Sequence, residues 1–405
     1  MLKKLPSLLD KGLEKLEQFT LDVIYEQQKD GAGIKAYGKM LSGLSTLYSG
    51  VVRSRKWLYD NGILRRDHPG CLVIVVGNLT VGGTGKTPVV EKFARALKER
   101  GRKVAILSRG YKSKQDPLRV RLNRRLNGLP SQATRVVSEG NGPLMDAESA
   151  GDEPYMLAKN LPGVLVLVDK DRLRSGAYAI KQYGADALLL DDGFQYLKLK
   201  EQLNLLLIDA GNPFGNGRLL PRGVLREPIR HIERASYVFL TKCTGQSNQP
   251  LKDLIHQYKP GIEIIECQHK PQYLCQVNGE KQLPLEFLKG KRVAIFSGIA
   301  DPKSFEASLI GFGAEVVYRK HFVDHHYYSA PEIDAVFENA QKDQPHFFVT
   351  TEKDAVRLGE DFEASQPLYF LRLEIDILNG SEDFQKAVDR ICFPKNKPHG
   401  ASPTE

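Results

Sequence analysis

Leu2, Leu5, Leu9, Leu13 and Leu16 recur at three- and four-residue spacing among Lys3, Lys4, Lys11 and Lys15, which predicts an amphipathic helix. A second such stretch sets Leu41, Leu44, Tyr48, Val51 and Val52 on one face and adds Arg53, Arg55, Lys56, Trp57, Arg65 and Arg66. Two readings fit both stretches: helices packed on a domain, or a basic amphipathic surface resting on an anionic membrane. From residue 71 the period changes. Short continuous apolar runs at 71–76, 103–107, 161–168, 185–190 and 203–208 predict strands buried on both faces. Residues 88–100 predict a helix with Val89, Val90, Phe93, Ala94 and Leu97 inward. Strands alternating with helices give an α/β fold: a parallel sheet with helices on both faces.

A second α/β unit follows, with strands expected at 293–296, 314–318 and 347–350 and helices at 302–309 and 331–341. Residues 272–277 and 367–373 flank it and are expected to pair as a ribbon joining the two units. The basic segment 111–135, with Lys112, Lys114, Arg119, Arg121, Arg124 and Arg125, reads as an exposed hairpin or loop. The tail 394–405 reads as disordered. The expected organisation is an N-terminal amphipathic region (1–66), a P-loop domain (67–265), a smaller α/β domain with hinge strands at its ends (266–376), and a terminal helix and tail (377–405).

Length and composition agree with two cores. The chain has 405 residues, 41% hydrophobic and 26% charged, which excludes wholesale disorder. No apolar run is long enough to cross a bilayer. Pro6, Asp10 and Glu14 interrupt the start, so no apolar leader develops. Five cysteines with no C-x-x-C spacing predict a reduced, cytoplasmic protein without a zinc cluster. The net charge of +9 favours an anionic partner.

Candidate chemistry begins where the strand 71–76 runs into G-N-L-T-V-G-G-T-G-K-T-P, residues 77–88. Glycines there let backbone N–H groups turn toward phosphate oxygens, and the following helix adds its positive end. The candidate nucleotide-binding residues are Thr80, Val81, Gly82, Gly83, Thr84, Gly85, Lys86 and Thr87. Lys86 is expected to reach the β/γ-phosphates, and the Thr87 hydroxyl to ligate Mg²⁺. Thr80 stands where the usual pattern has its first glycine. The loop also resembles that of partitioning ATPases, whose signature lysine is replaced here by Val81.

The strand 185–190 leads into D-D-G-F-Q, residues 191–195. Carboxylates at the carboxyl end of a parallel strand face the crevice, so Asp191 and Asp192 are candidate Mg²⁺-side residues. G-D-E-P at 151–154 opens a helix, where Asp152 is either an N-cap or an acid set beside the phosphates. Residues 321–329 hold His321, His325 and His326, with Asp324 beside His325 as in a hydrogen-bonded imidazole used in proton transfer.

In this order, the phosphate loop, L-S-R-G-Y (107–111), G-D-E-P, D-D-G-F-Q, L-R-E-P (225–228) and Asp324–His325 resemble the tetraacyldisaccharide 4′-kinase family. The resemblance runs from about residue 70 to 355. It implies two α/β/α domains joined by a β-ribbon, and a kinase using ATP and Mg²⁺ to phosphorylate the 4′-hydroxyl of a lipid A disaccharide 1-phosphate. It also implies peripheral attachment to the anionic cytoplasmic face of the bacterial inner membrane, with no required protein partner. By motif, Asp152 becomes the general base oriented by His325, while Asn78, Gln195, Arg226 and Glu227 lie on the substrate side. Arg222 and Val323 depart from the family pattern, and segment 111–135 is longer than in compact members. Two other classes compete. A nucleotide-dependent switch or partitioning-type ATPase lacks support from Val81 and from Asp152 with His325. A nucleic-acid binder lacks aromatic residues interleaved in the basic segment.

Overall fold

The computed structural model describes residues 32–392, apart from 112, 116, 131 and 325, together with 19–20 and 23–24. The helix expected over 2–16 and the tail from 394 therefore lie outside the described residues. A long helix, α1 (Ala32–Asp60), precedes strand β1 (Leu72–Asn78) and helix α2 (Lys86–Glu99). Next come β2 (Val104–Ser108), α3 (Leu118–Leu126), β3 (Arg135–Ser138), α4 (Ala147–Ala150) and α5 (Asp152–Asn160). Then follow β4 (Leu165–Val168), α6 (Arg172–Tyr183), β5 (Ala187–Asp191), β6 (Leu203–Asp209), β7 (Tyr237–Thr241) and α7 (Gln249–Tyr258). The long strand β8 (Glu263–Gln276) and short β9 (Gln282–Pro284) lead to β10 (Arg292–Ser297), α8 (Pro302–Gly311), β11 (Glu315–His321) and α9 (Ala330–Gln341). The described residues close with β12 (Phe347–Thr351), α10 (Glu352–Leu358), β13 (Leu368–Asn379) and α11 (Ser381–Cys392).

The strands form one continuous sheet in the order β11-β10-β12-β13-β8-β7-β6-β1-β5-β2-β4-β3, with β9 on β8. Pairing within each half is mostly parallel, as continuous apolar runs require. The halves meet where β8 and β13 pair antiparallel, Phe370 opposite Cys275 and Ile377 opposite Cys267, so the flanking segments do form a ribbon. α11 returns to the first half. Its Phe384 meets Phe93 and Phe239 edge-on at 5.6 and 6.4 Å, closing the core beside α2.

One expectation is corrected and one face is divided between its two readings. Segment 111–135 is not a hairpin: Leu118, Leu122 and Leu126 recur every fourth residue, and the chain coils into α3. The apolar face of α1 is also divided. Leu41 is buried, the Ser45 hydroxyl donates to Leu219 O (2.9 Å), and the Tyr48 hydroxyl donates to Arg226 O (2.9 Å). Leu44 and Val51, which the sequence sets on the same face, instead join Met40 and Leu47 in a stripe exposed at 46–69%. The apolar arc is wider than the surface it packs against. Among the described residues, no helix is long and apolar enough to cross a membrane.

Candidate active site

β1 and β5 lie side by side, Val76 opposite Asp191, so the loop after β1 and the two aspartates ending β5 share one crevice. The phosphate loop is shaped by contacts that exclude larger residues. A Cβ on Gly77 would come within 2.7 Å of Phe194. Gly85 takes φ 74° as N-cap of α2, and a Cβ there would stand 2.7 Å from His269 Nε2 on β8. The Thr241 hydroxyl donates to Thr84 O (2.8 Å), fixing the loop to β7.

Asn78 is fully buried and holds the loop from inside. Its Nδ2 donates to Thr80 O (2.8 Å), and its Oδ1 accepts from Lys86 Nζ (3.5 Å). Gln195 Nε2 donates to Asn78 O (2.9 Å). Lys86 Nζ also lies 3.7 Å from Asp192 Oδ1. Arg226 Nη1 donates to both Asp192 oxygens, at 2.9 and 2.8 Å. Glu227 is buried, with its carboxylate taken by His231 (2.6 Å) and Arg234 (2.7 Å), so it braces the segment that carries Arg226. Asn78 and Glu227 are thus buried and Gln195 half-buried around the loop.

The electrostatics separate the two aspartates. Burial, then Glu153 and Asp192, push the Asp191 carboxyl up to about 7. Burial also raises Asp192, but Lys86 and Arg226 outweigh it and hold that carboxyl below its usual range. The Ser108 hydroxyl donates to Asp191 Oδ2 (3.2 Å), whereas the buried Asp191 Oδ1 has no hydrogen-bond partner. Among the described residues, no three His, Cys, Asp or Glu side chains close a metal cage by themselves. Mg²⁺ does not need one: it takes one or two carboxylates, a hydroxyl, waters and substrate oxygens. The unpartnered Asp191 oxygen, beside Asp192 and at the end of the strand next to the one that carries the phosphate loop, fits that ion.

Asp152 is the first residue of α5, and Gly151, not Asp152, is the cap. The N-cap reading is therefore set aside. Its buried carboxylate reaches across to the second half, accepting from the Tyr327 hydroxyl (2.9 Å) and Arg357 Nε (2.8 Å). Arg357 is itself anchored to Gly298 O (2.7 Å) and Asp354 (2.9 Å). His325 lies outside the described residues. Beside Asp152, Glu153 pairs with Lys353 of α10 at 2.5 Å, and Lys353 then Lys86 keep its carboxyl low against burial. Arg172 is buried near both aspartates and donates to Asp192 O (3.5 Å). Sequence reasoning missed Glu153, Arg172, Lys353 and Arg357. Only the D-E step of G-D-E-P flagged one of them.

The match to the LpxK family, tetraacyldisaccharide-1-P 4′-kinase, covers residues 38–392. A tetraacyldisaccharide 4′-kinase from Anaeromyxobacter dehalogenans (strain 2CP-C) is 40% identical over 340 residues, 84% of this chain and 86% of its own length. One from Geobacter sulfurreducens is 38% identical over 328 residues, 81% of this chain and 86% of its own. The fold is similar to the crystal structure of "apo" form LpxK from Aquifex aeolicus in complex with ATP. That similarity has a TM-score of 0.69 and 31% identity, covering 88% of this chain and 100% of the other.

Proposed function

Because this chain belongs to the tetraacyldisaccharide-1-P 4′-kinase family, we propose how its own residues divide the work of that reaction. The enzyme transfers the γ-phosphate of ATP to the 4′-hydroxyl of a tetraacyldisaccharide 1-phosphate, a step in lipid A biosynthesis. The phosphate loop, Gly82 to Thr87, takes the triphosphate on its backbone amides, and Lys86 reaches the β/γ-phosphates. Asn78 and Asp192 aim Lys86, and Arg226 aims Asp192. Thr87, Asp191 and Asp192 would hold Mg²⁺. When bound, that ion neutralises charge on the phosphoryl oxygens.

Asp152 is the candidate base. The 4′-hydroxyl oxygen forms its bond to the γ-phosphorus as the bond to the bridging oxygen breaks and ADP leaves. The hydroxyl proton passes to an Asp152 carboxylate oxygen. Tyr327 and Arg357 fix that carboxylate, and His325 is proposed as a further orienting partner. Its supports come from the second half, so the base is in position only when the two halves are together. The observation that carries this assignment is the buried Asp152 carboxylate, held by Tyr327 and Arg357 of the second half beside a Glu153 that feels Lys86 and Asp192.

The acceptor is a lipid, and the exposed stripe Met40, Leu44, Leu47, Val51 on α1, with Arg53 and Arg55, suits an anionic bilayer. We place the enzyme peripherally on the cytoplasmic face of the inner membrane, with no protein partner required. Incubation with radiolabelled ATP and tetraacyldisaccharide 1-phosphate, followed by separation of lipids, tests the assignment. Label should enter the lipid with wild type and fall to background with Lys86→Ala. A Lys86→Ala protein of near-normal rate would sink the phosphate-loop assignment.

A further inference from the structure

We propose that α3 is a second contact with an anionic lipid surface, distinct from α1. The proposal rests on the membrane seating just described and adds a site on the other flank of the crevice. α3 reads L-R-V-R-L-N-R-R-L. Leu122 and Leu126 stand one turn apart and are exposed at 61% and 80%, with Leu129 at 52% just beyond. The helix is closed by a regular terminal motif. Gly128, at φ 68°, donates to Arg125 O (3.0 Å), and Leu129 N donates to Arg124 O (2.8 Å). Arg124 Nε then ties down Pro130 O (2.9 Å). A finished helix, not a frayed loop, holds these leucines away from any core.

The charge names the partner. No acidic residue occurs between 117 and 135, and among the described residues Arg119, Arg121 and Arg125 make no pair with a carboxylate. Guanidinium groups alternating with leucines on one short helix match a surface with phosphates outside and hydrocarbon just beneath. Aromatic side chains, which a nucleic-acid site uses for stacking, are absent from the helix.

Position supports the same partner. α3 follows the carboxyl end of β2, beyond a cavity of about 280 Å³ lined by Arg109, Tyr111, Gln132, Arg135 and Lys170. α1 is held through Leu219 and Arg226, in the segment after β6. In the order β6-β1-β5-β2, the two attachments bracket the strands that carry the phosphate loop and Asp191. A bilayer touching both helices would lie along the rim by which a lipid headgroup enters.

The test uses the full chain and vesicles of phosphatidylcholine with or without phosphatidylglycerol. Trp57 is the single tryptophan, so Leu126→Trp in a Trp57→Phe background places one reporter on α3. Its emission should shift blue with anionic vesicles and be quenched by brominated acyl chains. The triple change Arg119→Glu, Arg121→Glu, Arg125→Glu should weaken anionic-vesicle binding by roughly 10²-fold or more, from about one kcal/mol per basic residue. Its rate on detergent-dispersed acceptor should be unchanged. If wild type binds, the triple variant binds equally and the reporter does not shift, α3 is no contact, while the α1 seating stands. If wild type does not bind vesicles, both readings fall. Binding of duplex RNA in place of vesicles would also overturn the proposal.

Discussion

Asp191 is a buried carboxyl among two other carboxylates, and its raised pKa has a consequence for stability. Its folded value of about 7 lies above the unfolded 3.8, so the folded state holds the proton more tightly. Stability from this group is therefore full at acid pH and lost as pH rises through that window. Asp191→Asn should remove this slope, melting above wild type at pH 8 in the absence of Mg²⁺ and level with it near pH 4. Mg²⁺ favours the ionised carboxylate, so it should raise the wild-type melting temperature more at pH 8 than at pH 6, and the variant's hardly at all. Identical melting curves for the two proteins across that range would remove the cation role. Asp152 calls for a different variant, because Asp152→Ala also leaves Arg357 buried without its charge partner. Asp152→Asn keeps most of the shape. It should fold with near-wild-type affinity for ATP yet lose roughly 10² to 10⁴ in kcat, the usual cost of removing a general base. A kcat within a few fold of wild type would reduce Asp152 to an inter-half tether.

At the scale of elements, the strongest constraint is ionic. Arg372 on β13 pairs with Glu91 of α2 and with Glu352 of α10 (2.9 Å), all three largely buried. It thereby ties the helix behind the phosphate loop to the second half. Arg372→Met would leave Glu352 without its cation and Glu91 with Arg95 alone, and should cost on the order of 3–5 kcal/mol. Adding Glu91→Gln and Glu352→Gln should recover much of that loss, which thermal denaturation would register. No recovery would mean that packing, not charge, is what Arg372 supplies. Elements like these were partly legible. Continuous runs such as 71–76 and 203–208 mark strands to within two residues, because a strand buried on both faces has no polar positions to blur it. α3 was missed because six basic positions outweighed a three-leucine period. The phosphate loop is local and could be read directly. The partners of Asp152 could not: Arg357 is 205 residues away, and no local period encodes such a pairing.

For the whole molecule, the antiparallel pairing of β8 and β13 makes the two halves one continuous sheet, and α1 is attached through Leu219 and Arg226. On the proposed membrane seating, turnover needs both a competent crevice and a seated enzyme. These requirements respond differently to salt. Attraction of the +9 chain to anionic lipid is screened as ionic strength rises, since the Debye length falls from about 10 Å at 0.1 M to about 3 Å at 1 M. The buried pairs at Asp152 and Arg372 are shielded from that screening. Rising salt should therefore slow phosphorylation of vesicle-embedded acceptor several-fold while leaving detergent-dispersed acceptor little affected. Leu47→Glu with Val51→Glu places two carboxylates in the exposed α1 stripe, away from the face that holds Leu219 and Arg226. That variant should melt like wild type, turn over dispersed acceptor at the wild-type rate, and fall at least about tenfold on vesicles, since each change removes an apolar contact and adds repulsion. Equal losses on both acceptor forms would mean that the stripe supports the crevice rather than the membrane contact, and the peripheral placement through α1 would have to be given up.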